Sequence, residues 1–187
     1  MYVKPELYSS APAEERHPRE MAVYALLDEL GIPYTRCDHD HADTMEDCLA
    51  VEQVLGVPVC KNLLLTNRQQ TDFYLLMMPG DKPFKTKDLT AQLGCARLSF
   101  ATPAHMEALL GAAPGSASGF ELMNDREGKV RLLMDRELLS GAFISGHPCF
   151  STSTIKVALA DFREKFLPAV GHEATIVDLP RPEAPAN

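Results

Sequence analysis

The chain has 187 residues, 45% of them apolar and 24% charged, and its formal net charge at pH 7 is -8. Length and composition are typical of one compact domain with a sizeable core. The acidic balance argues against nonspecific binding along a polyphosphate backbone, which requires many cations. The apolar runs are far shorter than the ~20 residues of a membrane span, so we expect no membrane association.

The polar N-terminus lacks the basic start and apolar centre of a secretion signal, so we expect a cytoplasmic location. Five cysteines without a C-x-x-C pair favour a reduced compartment and small, mostly buried thiols over a disulfide framework. They are Cys37, Cys48, Cys60, Cys95 and Cys149. We expect a single domain over residues 1–187, with loose ends at about 1–16 and 180–187.

The first part of the chain predicts two helices with a strand between them. His17 to Leu30 carries apolar residues at the i, i+3, i+4, i+7 spacing of one helical face, with a proline in its first turn and a glycine after its end. Tyr34 to His39 is predicted to be a strand. Thr44 then caps a second helix that ends at Gly56.

The middle of the chain predicts a hairpin followed by helices. Cys60 to Thr66 and Asp72 to Met78 are apolar runs separated by a short polar turn, which is typical of two antiparallel strands. A helix from about Thr86 to Leu93, a short strand at Arg97 to Phe100 and a helix from Pro103 to about Leu110 are predicted next.

The last third begins with a loop of small residues, Ala112 to Gly119. Phe120 to Met123 and Val130 to Asp135 are predicted strands that flank a turn, Phe143 begins another strand, and Val157 to Leu167 is predicted to be the last helix. This succession of helices and hairpins predicts an α+β fold, with a mixed, curved or partly closed β-sheet surrounded by helices.

Three features could carry chemistry. Lys61 lies near the start of an otherwise apolar strand, so its ammonium must emerge at the strand's end or face a polar cavity. The loop around Gly115 offers backbone N–H groups without bulky side chains, which could hold an anion or a developing oxyanion. His147, in a kinked junction between two β-like segments, could orient a substrate or transfer a proton. A solvent-exposed lysine, a plain turn and a structural histidine are the alternative interpretations.

A metal site is a weaker possibility. Four potential ligands alternate at two-residue spacing and would share one face of a strand: Cys37, His39, His41 and Asp43. Adjacent ligands at this spacing suit few tetrahedral zinc sites, so we favour a polar strand end and expect no metal. No G-x-S-x-G elbow, P-loop, G-x-G-x-x-G or H-E-x-x-H motif occurs, which weakens the common hydrolase and nucleotide-binding classes.

The sequence has one notable basic cluster. It consists of Lys82, Lys85, Lys87 and, nearby in sequence, Arg97. These cations could touch the end of an RNA, or they could be the solvated start of a helix.

The order and spacing of these segments resemble the YbaK/ProX family, whose fold is that of the prolyl-tRNA synthetase editing domain. The stretches that carry the resemblance are Leu30-Gly31-Ile32-Pro33-Tyr34, Leu55-Gly56-Val57-Pro58, Cys60-Lys61-Asn62-Leu63-Leu64-Leu65, the Gly115 loop and Gly146-His147-Pro148. The similarity extends from about His17 to Leu167. It is closest to the free-standing ProX type, which clears Ala-tRNA(Pro).

The resemblance implies a mixed sheet rolled into a partial barrel, with a pocket for the aminoacylated terminal adenosine. Lys61 matches the family's essential lysine, and Asn62 accompanies it. The Gly115 loop matches the family's G-x-x-x-P substrate loop, except that Gly119 replaces the usual proline, which is expected to free the loop backbone. His147 matches the histidine of the amino-acid pocket. The remaining loop residues expected to contact substrate are Ser116, Ala117 and Ser118.

The resemblance further implies an aminoacyl-tRNA deacylase that hydrolyses alanine from tRNA(Pro) in trans. Water would attack the ester directly, without a covalent intermediate or cofactor. Lys61 would anchor the terminal nucleotide or the ester, amides around Gly115 and Ser116 would support the oxyanion, a substrate ribose hydroxyl would help to activate water, and His147 would shape the pocket.

The expected partners are the acceptor end of mischarged tRNA(Pro) and, as a further possibility, prolyl-tRNA synthetase. Three other functions stay open at this stage. They are a Cys-tRNA(Pro) deacylase, a non-catalytic tRNA- or synthetase-binding module, and a metal-dependent hydrolase that uses His39 and His41.

Overall fold

Two β-sheets organise the fold in the computed structural model, which describes residues 1–42 and 44–181. The first sheet is antiparallel and has the order β1 (Val3–Tyr8), β2 (Tyr34–His39), β8 (Ser153–Ala158), β7 (Phe143–Gly146). The second sheet is mixed and has the order β5 (Leu98–Phe100), β3 (Cys60–Asn67), β4 (Phe73–Pro79), β6 (Val130–Asp135), β9 (Ala174–Val177). In the second sheet β6 runs parallel to both β4 and β9.

The helices surround these sheets. They are α1 (Pro18–Glu29), α2 (Met45–Leu55), α3 (Thr86–Leu93), α4 (Pro103–Leu110), two 3-10 helices (Gly119–Asn124 and Arg136–Ser140), and a continuous helical segment made of α5 (Leu159–Asp161), a π-helix (Phe162–Phe166) and α6 (Leu167–Ala169). Predicted start and stop signals are present: Thr44 and Asp47 form a capping box on α2, and Gly56 ends it at φ 70°. Within the described ranges, no helix has the length and apolar character needed to cross a membrane.

The predicted α+β fold is confirmed, although the strands form two sheets and not a single rolled one. The main core lies between the sheets, where α1 and the aromatic rings of Phe120, Phe162 and Phe166 also pack. A second apolar cluster covers the other face of the second sheet and includes Leu89 of α3. Strand β4 is therefore buried on both faces, which explains its continuous apolar run.

The N-terminal segment, expected to be loose, contains strand β1. It pairs with β2 at the edge of the first sheet, where Val3 lies opposite His39. Most of its side chains are exposed and Pro5 lies within it, so the sequence offers no buried alternation from which to predict a strand. An edge strand tolerates both features, because only one side of it is hydrogen-bonded. Residues 182–187 of the expected loose C-terminal end lie outside the described part of the chain.

The predicted strand Phe120 to Met123 is wrong, because these residues belong to the 3-10 helix Gly119–Asn124. The Ser118 side chain caps this helix, and the Glu121 carboxylate accepts a hydrogen bond from the Ser118 N–H at 3.0 Å. A serine followed three residues later by glutamate is the capping-box signal of a helix start. This signal outweighs the local β-propensity.

The predicted start of the last helix at Val157 is also wrong. Val157 lies in β8, where it pairs with Tyr34 of β2, and the helical segment begins at Leu159. Ile155 and Val157 are β-branched and buried, so this part of the apolar run has the two-residue period of a strand. Strand β9 was not predicted.

Gly119 is held by tight packing, contrary to the expected gain in loop freedom. A Cβ atom added at this residue would lie 2.7 Å from Met77 Sδ and 2.9 Å from Phe162 Cζ. Such distances are far below van der Waals contact. A proline or any other residue with a side chain would therefore displace core atoms.

We predict that Gly119→Ala destabilises the fold by about 1 to 3 kcal/mol, because it overpacks the core between Met77 and Phe162. Urea unfolding followed by circular dichroism measures the change. Gly141→Ala is the matched control, since Gly141 has φ -84° and its added Cβ meets nothing closer than 3.4 Å. Equal stability of the two variants would contradict the packing at Gly119.

Candidate functional site

A cavity of about 290 Å³ brings together residues from five separate stretches of the sequence. It lies beside the first half of β3, where no described strand pairs with Cys60 to Leu63 on the side away from β4. The predicted site residues that line it are Lys61, Asn62, Gly115, Ala117 and His147. Its apolar walls include Val59, Leu63 and Met106. The cavity is at the lower end of the range for small-molecule sites, which suits a small fragment of a larger substrate.

Lys61 is half-buried at the wall of this cavity. Its ammonium donates a hydrogen bond to the backbone carbonyl oxygen of Lys82 at 3.0 Å. Among the described residues, no carboxylate lies within the 4 Å of an ion pair. The positive charge of Lys61 is therefore oriented by a neutral acceptor, and Asp81, whose pKa it helps to lower, interacts with it only beyond ion-pair distance.

Asn62 brings an unsatisfied hydrogen-bond acceptor to the same wall. Its Nδ2 donates to the Cys60 carbonyl oxygen at 3.1 Å, while the buried Oδ1 has no partner among the described residues. A buried polar atom without a partner typically costs about 1 to 3 kcal/mol. A substrate donor at Oδ1 would remove that cost.

The Gly115 loop presents alternate residues to the cavity. Gly115 and Ala117 line it, and their N–H groups have no acceptor in the part of the chain that the structure describes. The Ser116 N–H instead donates to the Ala113 carbonyl oxygen at 3.1 Å, and the Ser116 hydroxyl donates to the same oxygen at 3.0 Å. The Ser116 amide is thus bonded within the loop, and its oxyanion role stays a prediction that the open amides of Gly115 and Ala117 fit better. Gly115 has φ 88°, a left-handed conformation that glycine adopts without strain.

Ser118 anchors the loop and has no direct access to the cavity. It is fully buried, its hydroxyl donates to the His147 carbonyl oxygen at 2.6 Å, and its N–H is bound by Glu121. Burial raises the pKa of the Glu121 carboxyl well above its ordinary value. Ser118 thus fixes the loop relative to His147, which is a structural contribution to the site.

His147 is buried and belongs to a hydrogen-bonded network below the cavity. Its Nδ1 lies 2.9 Å from the Ser153 carbonyl oxygen and 3.2 Å from Thr154 Oγ1. Because the Ser153 carbonyl oxygen can only accept, Nδ1 carries a proton and donates it to this oxygen. Thr154 Oγ1 also contacts His39 Nε2 at 2.8 Å, and burial lowers the pKa of His39. The network fixes the ring orientation of His147.

The described residues of the predicted zinc alternative, Cys37, His39 and His41, form no common metal site. The described residues contain no group of three or more potential ligands, and Asp43 lies outside them. The Cys37 thiol faces the Lys4 carbonyl oxygen at 3.7 Å, whereas His41 Nδ1 contacts Ser151 Oγ at 2.9 Å. Each side chain has a different partner.

The cysteines are free thiols, and four of the five are buried, as predicted. Burial raises the pKa of Cys60, which lines the cavity, to about 11. Cys60 is therefore protonated at neutral pH and is a poor nucleophile. The same cause raises the pKa values of Cys37 and Cys48 to about 11.

The predicted basic cluster is divided by the structure. Lys82 is buried, and its ammonium lies 2.7 Å from Asp135 and 3.2 Å from Glu137, so its place in an RNA-facing cluster is wrong. Lys85, Lys87 and Arg97 are exposed. The ion pair of the Lys82 side chain instead fixes the position of the Lys82 backbone, whose carbonyl oxygen accepts the hydrogen bond from Lys61.

A larger groove of about 800 Å³ adjoins the cavity and shares Val59 and Cys60 with it. Its walls are mostly apolar. Its charged lining residues are Glu46, Glu52, Asp81, Glu137 and Arg181. Excess negative charge is unsuited to a polyanionic nucleic-acid end, so the smaller cavity is the better candidate.

Residues 39–165 match the sequence model of the aminoacyl-tRNA editing domain. The match covers most of the chain, and the chain therefore belongs to the aminoacyl-tRNA editing domain family. The predicted family and enzyme class, an aminoacyl-tRNA deacylase, are confirmed.

The names of similar proteins are consistent with this family. The chain is 29% identical over 160 residues to the prolyl-tRNA editing protein ProX of Acetoanaerobium sticklandii, covering 86% of this chain and 97% of the relative. It is 29% identical over 157 residues to prolyl-tRNA synthetase associated domain-containing protein 1 of Xenopus laevis, covering 82% and 92%. A crystal structure described as a candidate trans-editing enzyme for prolyl-tRNA synthetase has a TM-score of 0.66 at 17% identity, covering 90% and 100%, which supports the fold.

Sequence reasoning missed several contributors to the site. The Lys82–Asp135 pair carries no motif, because its partners are far apart in sequence and meet only through the β4–β6 pairing. Met106 was predicted to be helical but was not assigned to a cavity. The two-residue alternation of an extended loop could have separated Ala117 from Ser116 as the residue on the cavity side.

Proposed function

We propose that the protein hydrolyses the ester bond of alanine wrongly attached to tRNA(Pro), acting in trans on tRNA charged elsewhere. The observation that carries this proposal is the single cavity shared by Lys61, the Gly115 loop and His147. Family membership supplies the reaction class, and the names of the relatives support tRNA(Pro) as the substrate. A cytoplasmic location stays a prediction.

The charged and polar groups of the cavity match the parts of an aminoacyl-adenosine. Lys61 would bind the phosphate or ester oxygens of the terminal nucleotide, because its charge has no carboxylate partner at short range. The N–H groups of Gly115 and Ala117 would polarise the ester carbonyl and stabilise the oxyanion. Asn62 Oδ1 would accept a hydrogen bond from the α-ammonium group of the amino acid.

Hydrolysis then needs no nucleophile from the protein. An aminoacyl ester is already activated, so a water molecule can attack a carbonyl that is held and polarised. A neighbouring ribose hydroxyl of the substrate would take part in activating that water. Cys60 is unsuited to form an acyl intermediate, because burial raises the pKa of its thiol to about 11.

Size would determine which amino acid enters. Val59, Leu63 and Met106 narrow the cavity, which measures about 290 Å³ in all. A synthetase pocket gains only about 1 to 3 kcal/mol per methylene, too little to reject a smaller amino acid than proline. A second, smaller site removes alanine afterwards and leaves proline in place.

Single-turnover hydrolysis of tRNA(Pro) charged with alanine, cysteine, serine or proline tests the proposal. We expect alanine to be released fastest and Pro-tRNA(Pro) to stay intact. Faster release of cysteine than of alanine would make the protein a Cys-tRNA(Pro) deacylase. Binding of tRNA(Pro) without any turnover would instead indicate a non-catalytic module. Copurification with prolyl-tRNA synthetase would test the expected partnership, which the name of the Xenopus laevis relative supports.

A further inference from the structure

Four exposed cations surround an exposed aromatic ring at the β5 edge of the second sheet. We call this surface the basic face, and it consists of Arg68, Lys85, Lys87, Arg97, Phe84 and Phe100. Two adjoining hollows of about 720 and 500 Å³ form it, and both contain Arg97 and Phe100. It is separate from the cavity around Lys61.

The cations of the basic face are not neutralised. Within residues 1–42 and 44–181, none of the four is within ion-pair distance of a carboxylate, and neither hollow is lined by an aspartate or glutamate. By contrast, the buried Lys82 nearby in sequence is paired with two carboxylates. A local group of uncompensated cations on a chain of net charge -8 creates a confined positive surface.

Phe100 gives this surface an aromatic platform. Its side chain is 60% exposed, although it occupies a β-strand, and its ring makes an edge contact with Phe84 at 6.3 Å. An exposed aromatic ring between cations is the combination with which proteins bind nucleic acid, because bases and sugars stack on the ring while cations bind phosphates. An acidic protein partner would use the cations but would not require the ring.

The basic face lies within reach of the cavity. Phe100 pairs with Leu65 of β3, and Lys61 is four residues earlier on the same strand, which corresponds to roughly 13 Å at ~3.3 Å per residue. The chain continues from Phe100 directly into α4, whose Met106 lines the cavity. A nucleic acid whose 3′ end enters the cavity would therefore have its preceding nucleotides near this surface.

We propose that the basic face binds the sugar-phosphate backbone of the substrate tRNA, outside the aminoacylated terminal nucleotide. This inference rests on the proposed function and adds to it a second contact region. The net charge of -8 argues against electrostatic attraction of the whole protein surface to RNA. A local contact of this kind would therefore supply most of the tRNA affinity. The terminal cavity would then supply chemistry and amino-acid selection.

The test compares two charge-reversed variants with equal changes in net charge. Arg68→Glu/Arg97→Glu alters the basic face. Arg126→Glu/Arg163→Glu alters two exposed arginines that have no ion-pair partner among the described residues and line neither hollow. We expect the first variant to raise the dissociation constant of uncharged tRNA(Pro) at least tenfold. It should also lower the slope of log affinity against log salt by roughly 1 to 2, because two phosphate contacts are lost. The second variant should change both quantities much less.

Two substrates separate this inference from the proposed function. The first variant should hydrolyse an alanyl ester of the CCA trinucleotide at the wild-type rate but show a raised half-saturating concentration for Ala-tRNA(Pro). Phe100→Ala should weaken tRNA binding without changing the trinucleotide rate. Equal losses in both double variants, or unchanged tRNA binding in the first, would overturn the basic face as the tRNA contact. If the wild type hydrolyses neither alanyl substrate, the proposed function is wrong. The dissociation constants of tRNA(Pro) would still test whether the basic face binds tRNA.

Discussion

Replacing Lys61 with alanine is expected to lower the single-turnover rate of Ala-tRNA(Pro) hydrolysis by at least about 100-fold, the loss typical of one oxyanion-stabilising donor. The ammonium is the cationic group of the cavity, and no other lysine or arginine among the described residues lines it. Its only described hydrogen bond goes to the Lys82 carbonyl oxygen. The fold should therefore stay intact, and the urea midpoint should change little.

Lys156→Ala is the matched control for this prediction. Lys156 is also half-buried and donates to a backbone carbonyl oxygen, that of Leu55, at 2.9 Å, but it does not line the cavity. This variant should keep its deacylation rate, which separates the loss of a cavity charge from the loss of a buried lysine stem. Lys61→Arg keeps the charge but changes its position, and partial activity is expected. Full activity of Lys61→Ala would rule out the proposed catalytic role of this residue.

Asp135→Ala is expected to have the largest effect on stability, lowering the free energy of unfolding by about 3 to 5 kcal/mol. Asp135 is fully buried, and its Oδ2 lies 2.7 Å from the buried Lys82 ammonium. The contact has the distance but not the angles of a hydrogen bond, so its energy is mainly coulombic. Removal of the carboxylate leaves a buried cation with only the half-exposed Glu137 as a partner.

Urea denaturation of two comparison variants isolates this cause. Asp178→Ala removes an exposed pair with Arg136 and should cost no more than about 1 kcal/mol. Asp135→Ala combined with Lys82→Met removes both charges and should recover part of the lost stability, because no uncompensated ion stays buried. Equal losses of unfolding free energy in Asp135→Ala and Asp178→Ala would contradict the expected contribution of the buried Lys82–Asp135 pair. The pair also fixes the segment whose carbonyl oxygen orients Lys61, so reduced activity should accompany the lost stability.

The elements with clear periodicity and caps could be predicted from the sequence. Helix α1 and the β3–β4 hairpin follow from apolar spacing, and α2 follows from Thr44 and Gly56. Strand β1 was not predicted, because an exposed edge strand has no buried face. Val157 was assigned to a helix, because a short apolar run is compatible with either a helix or a strand.

The site could be predicted only in part. Lys61, Asn62 and His147 were identified through the family resemblance, and the structure places them on one cavity. The local sequence could not show that Ser116 closes a turn on Ala113 or that Lys82 is buried against Asp135. The first is a local turn that a loop of small residues does not specify by itself. The second depends on a tertiary contact between segments far apart in sequence.

The pairing of β2 with β8 has a consequence for synthesis of the chain. Tyr34 is opposite Val157, so the first sheet closes only after Val157, 123 residues further along the chain, has left the ribosome. The hairpin that carries Lys61 is local and can form much earlier, whereas pairing between such distant segments is slow because of its loop-closure entropy. A nascent chain would thus contain the Lys61 hairpin before the sheet that adjoins His147 has formed, and editing competence would arise late in folding.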